Sequence, residues 1–153
     1  MNPDQALLKR YLAHPHTELA IDSNPLAKAL RARFLGREDG VIRMGFEPSR
    51  EFVQGNGVVQ GGIVAAMLDL VAAFTSLATL GDGQTAATVS MAISFLAPVP
   101  VGALIATGTV ERGGRRLIFA RAQLAGAGGG TLLASANTVM SVLDAAKTPH
   151  RRT

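Results

Sequence analysis

Residues 61–81, GGIVAAMLDLVAAFTSLATLG, form the most apolar segment of the chain and contain one charged side chain, Asp69. Such a segment is either a helix that crosses a bilayer or a helix buried in a protein core. A carboxylate at the centre of a bilayer span costs about 2.5 to 3.5 kcal/mol, and no second span or positively charged flank accompanies it. We therefore predict a helix in the core of a soluble protein without a membrane partner.

On both sides of this helix the apolar residues alternate as they do in strands. Before it, the stretch 33–47 turns at Arg37-Glu38-Asp39-Gly40, which predicts a hairpin. After it, strands predicted at 85–96, 104–111, 115–124 and 131–143 have short connections, which favours an antiparallel meander. One long apolar helix between two sets of antiparallel strands indicates an α+β fold in which a curved sheet wraps the helix.

The remaining segments complete a one-domain chain of 153 residues. Apolar side chains at helical spacing predict a short helix over 3–14, and Asn24 followed by Pro25 predicts the start of another that runs to Leu30. We assign residues 1–23 to an N-terminal helical extension and residues 24–143 to the main domain. For the basic tail, 144–153, we expect disorder.

Composition excludes several classes of function. The chain has no cysteine, which removes disulfides, thiolate nucleophiles and zinc–thiolate sites. Its net charge of +4 suits a partner that carries phosphates, but one tyrosine and no tryptophan disfavour a surface that stacks nucleic-acid bases. Polar residues interrupt the N-terminus where a signal peptide needs an apolar core, so we expect a cytoplasmic protein.

Histidine chemistry is also disfavoured. His14, His16 and His150 lie near the termini, outside any patterned element, and no G-x-S-x-G turn is present. The glycine-rich stretch 55–62 departs from a dinucleotide loop at Gln60 and lacks a surrounding βαβ pattern. We therefore expect no metal and no cofactor.

The long helix is predicted to have two different faces. A bulky stripe suited to packing on a sheet consists of Ile63, Met67, Leu70, Phe74 and Leu77. The residues one and two turns from Asp69 are small, and they predict a shallow groove around the carboxylate. These small residues are Gly62, Ala65, Ala66, Ala72, Ala73 and Ser76.

Two features of this helix suggest chemistry. At its start, Gly61 and Gly62 leave backbone N–H groups unshielded, and such groups can bind an oxyanion. A buried carboxylate needs a partner, a raised pKa or access to water and substrate, so Asp69 is either a structural acid bonded to a loop or a site residue. Gly61 and Asp69 are about 12 Å apart along one helix. If both act on one carbonyl, a second subunit must supply one of them, which predicts a two-fold dimer.

Residues 52–69, FVQGNGVVQGGIVAAMLD, resemble the signature of the hotdog-fold thioesterases of the phenylacetate-pathway type. Residues 88–102 and 112–124 are similar to later strands of that family, and the resemblance extends over about residues 24–143. It implies hydrolysis of an acyl-coenzyme A thioester by a homo-oligomer, either a dimer or a dimer of dimers (a homotetramer).

The resemblance also implies roles for individual residues. Asp69 takes the position of the catalytic acid, as nucleophile or as base, and Gly61 that of the oxyanion donor. Thr88 takes the position of a hydroxyl that orients water. Gln60 and Gln54 stand where the family has a histidine and an asparagine, and each keeps an amide donor.

Substrate-binding residues are predicted at two places. The groove residues Gly62, Ala65 and Ala73 would accept the acyl group. A cluster of three arginines beside a glycine pair, Arg112, Arg115 and Arg116, would bind the coenzyme A phosphates or would simply be a charged turn. The replaced histidine and asparagine keep a rival open, a non-catalytic acyl-CoA-binding protein. A hotdog dehydratase or hydratase normally needs a histidine that this site lacks.

Overall fold

The computed structural model describes residues 2–146 and contains three α-helices and seven strands. The helices are α1 (Pro3–Ala13), α2 (Pro25–Ala29) and α3 (Gly61–Leu77). The strands are β1 (Leu19–Ala20), β2 (Arg33–Glu38), β3 (Val41–Phe46), β4 (Gln84–Phe95), β5 (Leu104–Gly113), β6 (Leu117–Gly126) and β7 (Leu132–Asp144). A short 3-10 turn at Arg50–Phe52 precedes α3.

All seven strands form one antiparallel sheet in the order β1-β2-β3-β5-β6-β7-β4. Helix α3 packs across one face of this sheet and contacts the five strands from β3 to β7. The predicted α+β layout, with a curved sheet around one long helix, is confirmed. No helix within residues 2–146 has the length and apolar character that a bilayer span requires.

The position of β4 differs from the predicted meander. β5, β6 and β7 are consecutive neighbours, but β4 pairs with β7 at the far side and not with β5. The connection from β4 to β5 runs from Leu96 to Ala103, includes two prolines and bonds through Val99 O to the Val59 N–H, 2.9 Å away. It is too long for a hairpin turn, and this length lets β4 cross to an edge of the sheet.

The two predicted local motifs are present. The β2–β3 turn has left-handed backbone at Asp39 and Gly40, with φ of 48° and 79°, a combination that suits the twist of a hairpin. Asn24 caps α2, where its side chain accepts from the Ala27 N–H at 2.8 Å. Pro25 follows at the first helical position, where the missing N–H costs nothing.

Helix α1 packs on the main sheet. Its buried residues Leu7, Leu8 and Tyr11 belong to the same core as α3, and the Tyr11 ring stacks on Phe34 at 4.3 Å. A bond from Lys9 Nζ to Asp82 Oδ1, 2.6 Å long, ties this helix to the loop after α3 and lowers the pKa of Asp82. The N-terminal residues therefore share the core of the main domain. Residues 147–153 of the predicted basic tail lie outside the described residues.

The buried face of α3 is not the predicted stripe. Met67 and Phe74 are buried as expected, whereas Ile63, Leu70 and Leu77 are only partly buried. The core-facing residues recur three and four apart as Val64, Met67, Leu68, Val71 and Thr75. Because the side chains of α3 are apolar on almost every side of the helix, hydropathy alone could not determine which face meets the sheet.

Candidate functional site

Asp69 lies near the middle of α3, on the side of the helix that faces β4. Its carboxylate is partly exposed, and its Oδ1 accepts a hydrogen bond from the Thr88 hydroxyl at 2.7 Å. Within residues 2–146 no further hydrogen bond or ion pair reaches this carboxylate. Thr88 therefore holds the carboxylate on one side and leaves it accessible on the other. The structure brings these two predicted residues together from separate elements.

A β-bulge in β4 aims Thr88 at the helix. The pairing of β4 with β7 shifts between Thr88 and Ser90, so that Val89 is an extra residue without a partner. Met91 pairs with Thr138 and Thr88 pairs with Met140, two β7 residues that are buried beneath α3. Side chains alternate along a strand, so in a regular ladder without the bulge Val89 would lie opposite Met140 and would face the helix in place of Thr88.

The start of α3 presents free backbone donors. Gln60 is the N-cap residue, and its carbonyl accepts from the Ile63 and Val64 N–H groups at 2.9 and 3.1 Å. The N–H groups of Gly61 and Gly62 have no partner in the described part of the chain. The dipole of a 17-residue helix adds partial positive charge at this end. Two unshielded donors at one point can stabilise a developing negative charge.

The two glutamines lie beside this helix start. The Gln54 side-chain Oε1 accepts from the Asn56 N–H at 2.6 Å, which orients the side chain toward its own turn. The Gln60 side chain is exposed and forms no capping bond. Both therefore belong to the Gly61 end of the helix and neither bonds to Asp69.

The site consists of two separate halves within one protomer. Eight residues separate Gly61 from Asp69, which corresponds to about 12 Å along the helix axis. Reacting groups must each come within roughly 3 Å of the same carbonyl carbon. One bound carbonyl consequently cannot contact both halves of a single chain.

The predicted groove is narrower than the sequence suggested. Gly62 is exposed, and Ala65 and Ala73 are partly exposed, so these three residues border Asp69 on the open side of α3. Ala72 and Ser76 are fully buried in the core, contrary to the prediction that they line the groove. Their burial restricts the groove to the other small residues.

The three arginines lie at the opposite end of α3 from Gly61. All are exposed at the tip of the β5–β6 hairpin, and Arg115 lines a depression with Thr79, Leu80 and Gln84 beyond the last turn of the helix. Asp69 is about 12 Å from that last turn, again at ~1.5 Å per residue. The cluster is thus separate from the carboxylate, on the side away from the helix start.

Phe95 is a neighbour of the site that the sequence analysis did not single out. Its ring lies against Gly61, where a Cβ atom would be 3.5 Å from the ring Cε1 and 3.6 Å from Cζ. The ring is nonetheless 56% exposed. The alternation of Met91, Ile93 and Phe95 could have indicated that this ring faces the helix.

The histidines lie away from these groups. His14 and His16 are exposed between α1 and β1, and His150 lies outside the described residues. Within residues 2–146 no cluster of three or more histidine, cysteine, aspartate or glutamate side chains could hold a metal ion.

Comparison with known proteins extends this description. The family model described as the thioesterase superfamily matches residues 56–133, slightly more than half of the chain. A phenylacetic acid degradation-related protein from Ralstonia eutropha JMP134 is 28% identical, with a TM-score of 0.75 over 88% of this chain and 98% of that one. The likeness confirms the predicted hotdog fold. No curated protein matches the chain.

Two further solved structures share the fold at lower identity. A thioesterase from Haemophilus influenzae is 20% identical, with a TM-score of 0.76 over 84% of this chain and 89% of that one. A Streptococcus mutans UA159 protein bound to acetyl-CoA is also 20% identical, with a TM-score of 0.65 over 72% of this chain and 87% of that one.

Proposed function

The chain belongs to the thioesterase superfamily and is a thioester hydrolase, and from this premise we propose that it hydrolyses acyl-coenzyme A thioesters to the free acid and coenzyme A. The observation that carries the proposal is the Asp69 carboxylate, which a single hydroxyl holds on an otherwise apolar helix and which stays open to solvent. The Streptococcus mutans protein that shares the fold and is bound to acetyl-CoA supports an acyl-CoA as the substrate.

Asp69 would supply the attacking oxygen, either directly or by taking a proton from water. Direct attack would form an anhydride between the carboxylate and the acyl group and release coenzyme A as its thiolate, and water would then cleave the anhydride. As a base, the carboxylate would instead activate water for attack on the same carbon. The Thr88 hydroxyl fixes Oδ1 in both routes, which leaves Oδ2 for the reaction.

The Gly61 N–H would bind the thioester oxygen as negative charge develops on it. A donor without a partner and at the positive end of a helix needs no rearrangement before it binds an oxyanion. The amide groups of Gln54 and Gln60 would assist in place of the family's asparagine and histidine. Their extra reach matters because a displacement near 1 Å can cost about 100-fold in rate.

We propose that the two halves come from different subunits of a two-fold dimer. Both halves of the site contact the edge strand β4. The Thr88 hydroxyl of this strand binds Asp69, and its Phe95 ring lies against Gly61. The opposite edge, β1, has only two residues, whereas β4 has 12. A long edge strand with unpaired backbone groups favours pairing with another chain.

The exposed side chains of β4 and of the residue after it support this interface. Val89, Phe95 and Leu96 are 62%, 56% and 57% exposed, although each is large and apolar. Pairing β4 with the same strand of a second copy, antiparallel about a two-fold axis, would bring Thr88 across from the partner's Phe95. The axis would then pass close to Met91 and Ala92, and Asp69 would approach the helix start of the other chain.

The acyl group would lie along Gly62, Ala65 and Ala73, and the arginines Arg112, Arg115 and Arg116 would bind the coenzyme A phosphates. A guanidinium binds phosphate through two parallel hydrogen bonds, which suits the cluster at the hairpin tip. Pairing of dimers into a tetramer and the cytoplasmic location stay predictions from the sequence.

Replacing the carboxylate tests the proposal. Asp69→Asn keeps the shape of the side chain and an oxygen that accepts from Thr88, but it removes the nucleophile or base. We expect the rate of thioester hydrolysis to fall by about 100- to 10,000-fold with the melting temperature little changed. Release of coenzyme A can be followed with a thiol reagent, because the cysteine-free chain contributes no background. Asp82→Asn, at an exposed loop carboxylate, is the matched control and should keep full activity.

The rival proposal is a binding protein without turnover. It is favoured by the replacement of two family polar residues by Gln54 and Gln60. Calorimetric binding of short, long and aromatic acyl-CoAs without release of thiol from any of them would establish the rival and overturn the hydrolase proposal. Hydrolysis that persists in Asp69→Asn would remove the proposed role of Asp69.

A further inference from the structure

Phe95 closes one side of the proposed oxyanion site. A Cβ atom at Gly61 would lie within 4 Å of the Phe95 ring. Apart from the adjacent residues and the backbone of α3, no other described atom comes as close to this position. At Gly62 that position has no neighbour within 4 Å. The helix start thus has an aromatic wall at its first residue and open space at its second.

The two sides suit different parts of a thioester. The sulfur carries the long coenzyme A group, whose amides and distal phosphates need a path to solvent, and the open side offers one. The acyl group is apolar, and contact with the exposed ring would remove apolar surface from water. Bound through the Gly61 N–H, a thioester would therefore direct its acyl carbon toward Phe95 and its sulfur toward the open Gly62 side.

We infer that Phe95 is a specificity-determining residue whose ring limits substitution at the acyl α-carbon. This inference rests on the proposed acyl-CoA hydrolysis. An unbranched α-carbon passes beside the flat ring, whereas a methyl branch at that carbon needs the space that the ring occupies. In the proposed dimer, the Phe95 ring and the Gly61 N–H donor of one site both come from the same protomer.

The size of the effect follows from how pockets discriminate small groups. One methylene more or less in an apolar pocket changes kcat/KM by about 10- to 200-fold. Butyryl-CoA and isobutyryl-CoA have the same atoms and charge and differ in whether the fourth acyl carbon extends the chain or branches at the α-carbon. Their ratio of kcat/KM therefore measures the space beside the wall and cancels effects on coenzyme A binding.

The experiment measures this ratio in the full-length protein and in two variants, Phe95→Ala and Phe95→Leu. We expect the unsubstituted protein to prefer butyryl-CoA. Phe95→Ala should raise the isobutyryl to butyryl ratio by about tenfold or more, and Phe95→Leu should raise it less. Phe119→Ala is the matched control, since that ring is 39% exposed on the sheet face away from α3 and should leave the ratio unchanged.

The outcomes separate the inference from the function on which it rests. If turnover is retained and the ratio is unchanged in both Phe95 variants, the inference that the Phe95 ring limits branching at the α-carbon is wrong. An equal change of the ratio in Phe119→Ala would contradict it as well. If Phe95→Ala fails to fold or to assemble by sedimentation velocity, the ratio in Phe95→Leu decides. If the unsubstituted protein hydrolyses no acyl-CoA, the proposed function is wrong, and the inference about Phe95 that rests on it is wrong too.

Discussion

The Gly61 N–H can be removed without disturbing the helix, because this glycine lies at the first helical position. Proline is favoured there, and the preceding Gln60 has φ −62° and ψ 140°, the extended backbone that a residue before proline adopts. Within the described residues the Gly61 N–H forms no hydrogen bond, so the substitution leaves no acceptor without its donor. Proline at this position therefore deletes one donor and little else.

We expect Gly61→Pro to lower kcat by about 100- to 1,000-fold, the usual effect of losing one oxyanion donor. Gly61→Ala is the control, since it keeps the N–H and its Cβ would meet Phe95 at an ordinary 3.5 Å. Steady-state kinetics on one acyl-CoA, with circular dichroism to verify folding, compares the two. Equal activity in both variants would show that this N–H does not bind the oxyanion.

At the residue scale, the sequence predicted both halves of the proposed site but not how they are held. Asp69 stood out because a carboxylate in an apolar helix is costly to bury, and the glycine pair stood out because it opens that helix. The Asp69–Thr88 bond depends on a bulge at Val89, and no residue type in Thr-Val-Ser marks a bulge. Only pairing with β7 reveals it.

The close approach of α3 to β5 depends on Gly108 at the element scale. A Cβ at this buried position would lie 2.9 Å from the Val71 carbonyl oxygen and would overlap the Thr75 side chain. The helix would have to move away from the sheet, and Asp69 and Thr88 would separate because they lie on the two elements that hold the site.

Gly108→Ala is expected to destabilise the fold by about 1 to 3 kcal/mol, the usual cost of overpacking. Gly36→Ala is its matched control, since a Cβ in that strand has no neighbour within 4 Å. Urea unfolding of the two variants, read as midpoint shifts, makes the comparison. A Gly108→Ala midpoint equal to that of Gly36→Ala would show that the contact is not tight.

The same scale shows which predictions from sequence fail and why. Short-range signals were reliable, as Asn24-Pro25 and Asp39-Gly40 produced the predicted cap and turn. The predicted meander holds for β5, β6 and β7 but was wrong for β4, because adjacency of strands depends on long-range pairing and β4 pairs with β7. The buried face of α3 was wrong because its alanines, valines and leucines are all apolar and only packing distinguishes them.

For the whole molecule, the proposed site across two chains predicts complementation between inactive variants. Asp69→Asn lacks the carboxylate and Gly61→Pro lacks the donor. A mixed dimer of these two chains would contain one site with both groups intact and one site with neither. Each variant alone contains no intact site.

Unfolding and refolding the two variants together should restore about a quarter of the activity of the unsubstituted protein, since half of the dimers would be mixed and each would have one working site. Thiol release before and after mixing measures the gain. Refolding each variant alone is the control. A mixture no more active than its parts would place both groups in one chain, or in chains that do not meet through β4.

The extra residue at Val89 has a consequence for how such a chain can change over generations. If Val89 instead took the place opposite Met140 in a regular ladder, every residue before it in β4 would turn to the opposite face, while every residue after it would stay in place. A hydroxyl can thereby enter or leave a reaction centre with no amino acid replaced at its own position. Loss of the bulge with Val89 retained would remove Thr88 from Asp69 as completely as mutating it, whereas deletion of Val89 would leave Thr88 opposite Met140.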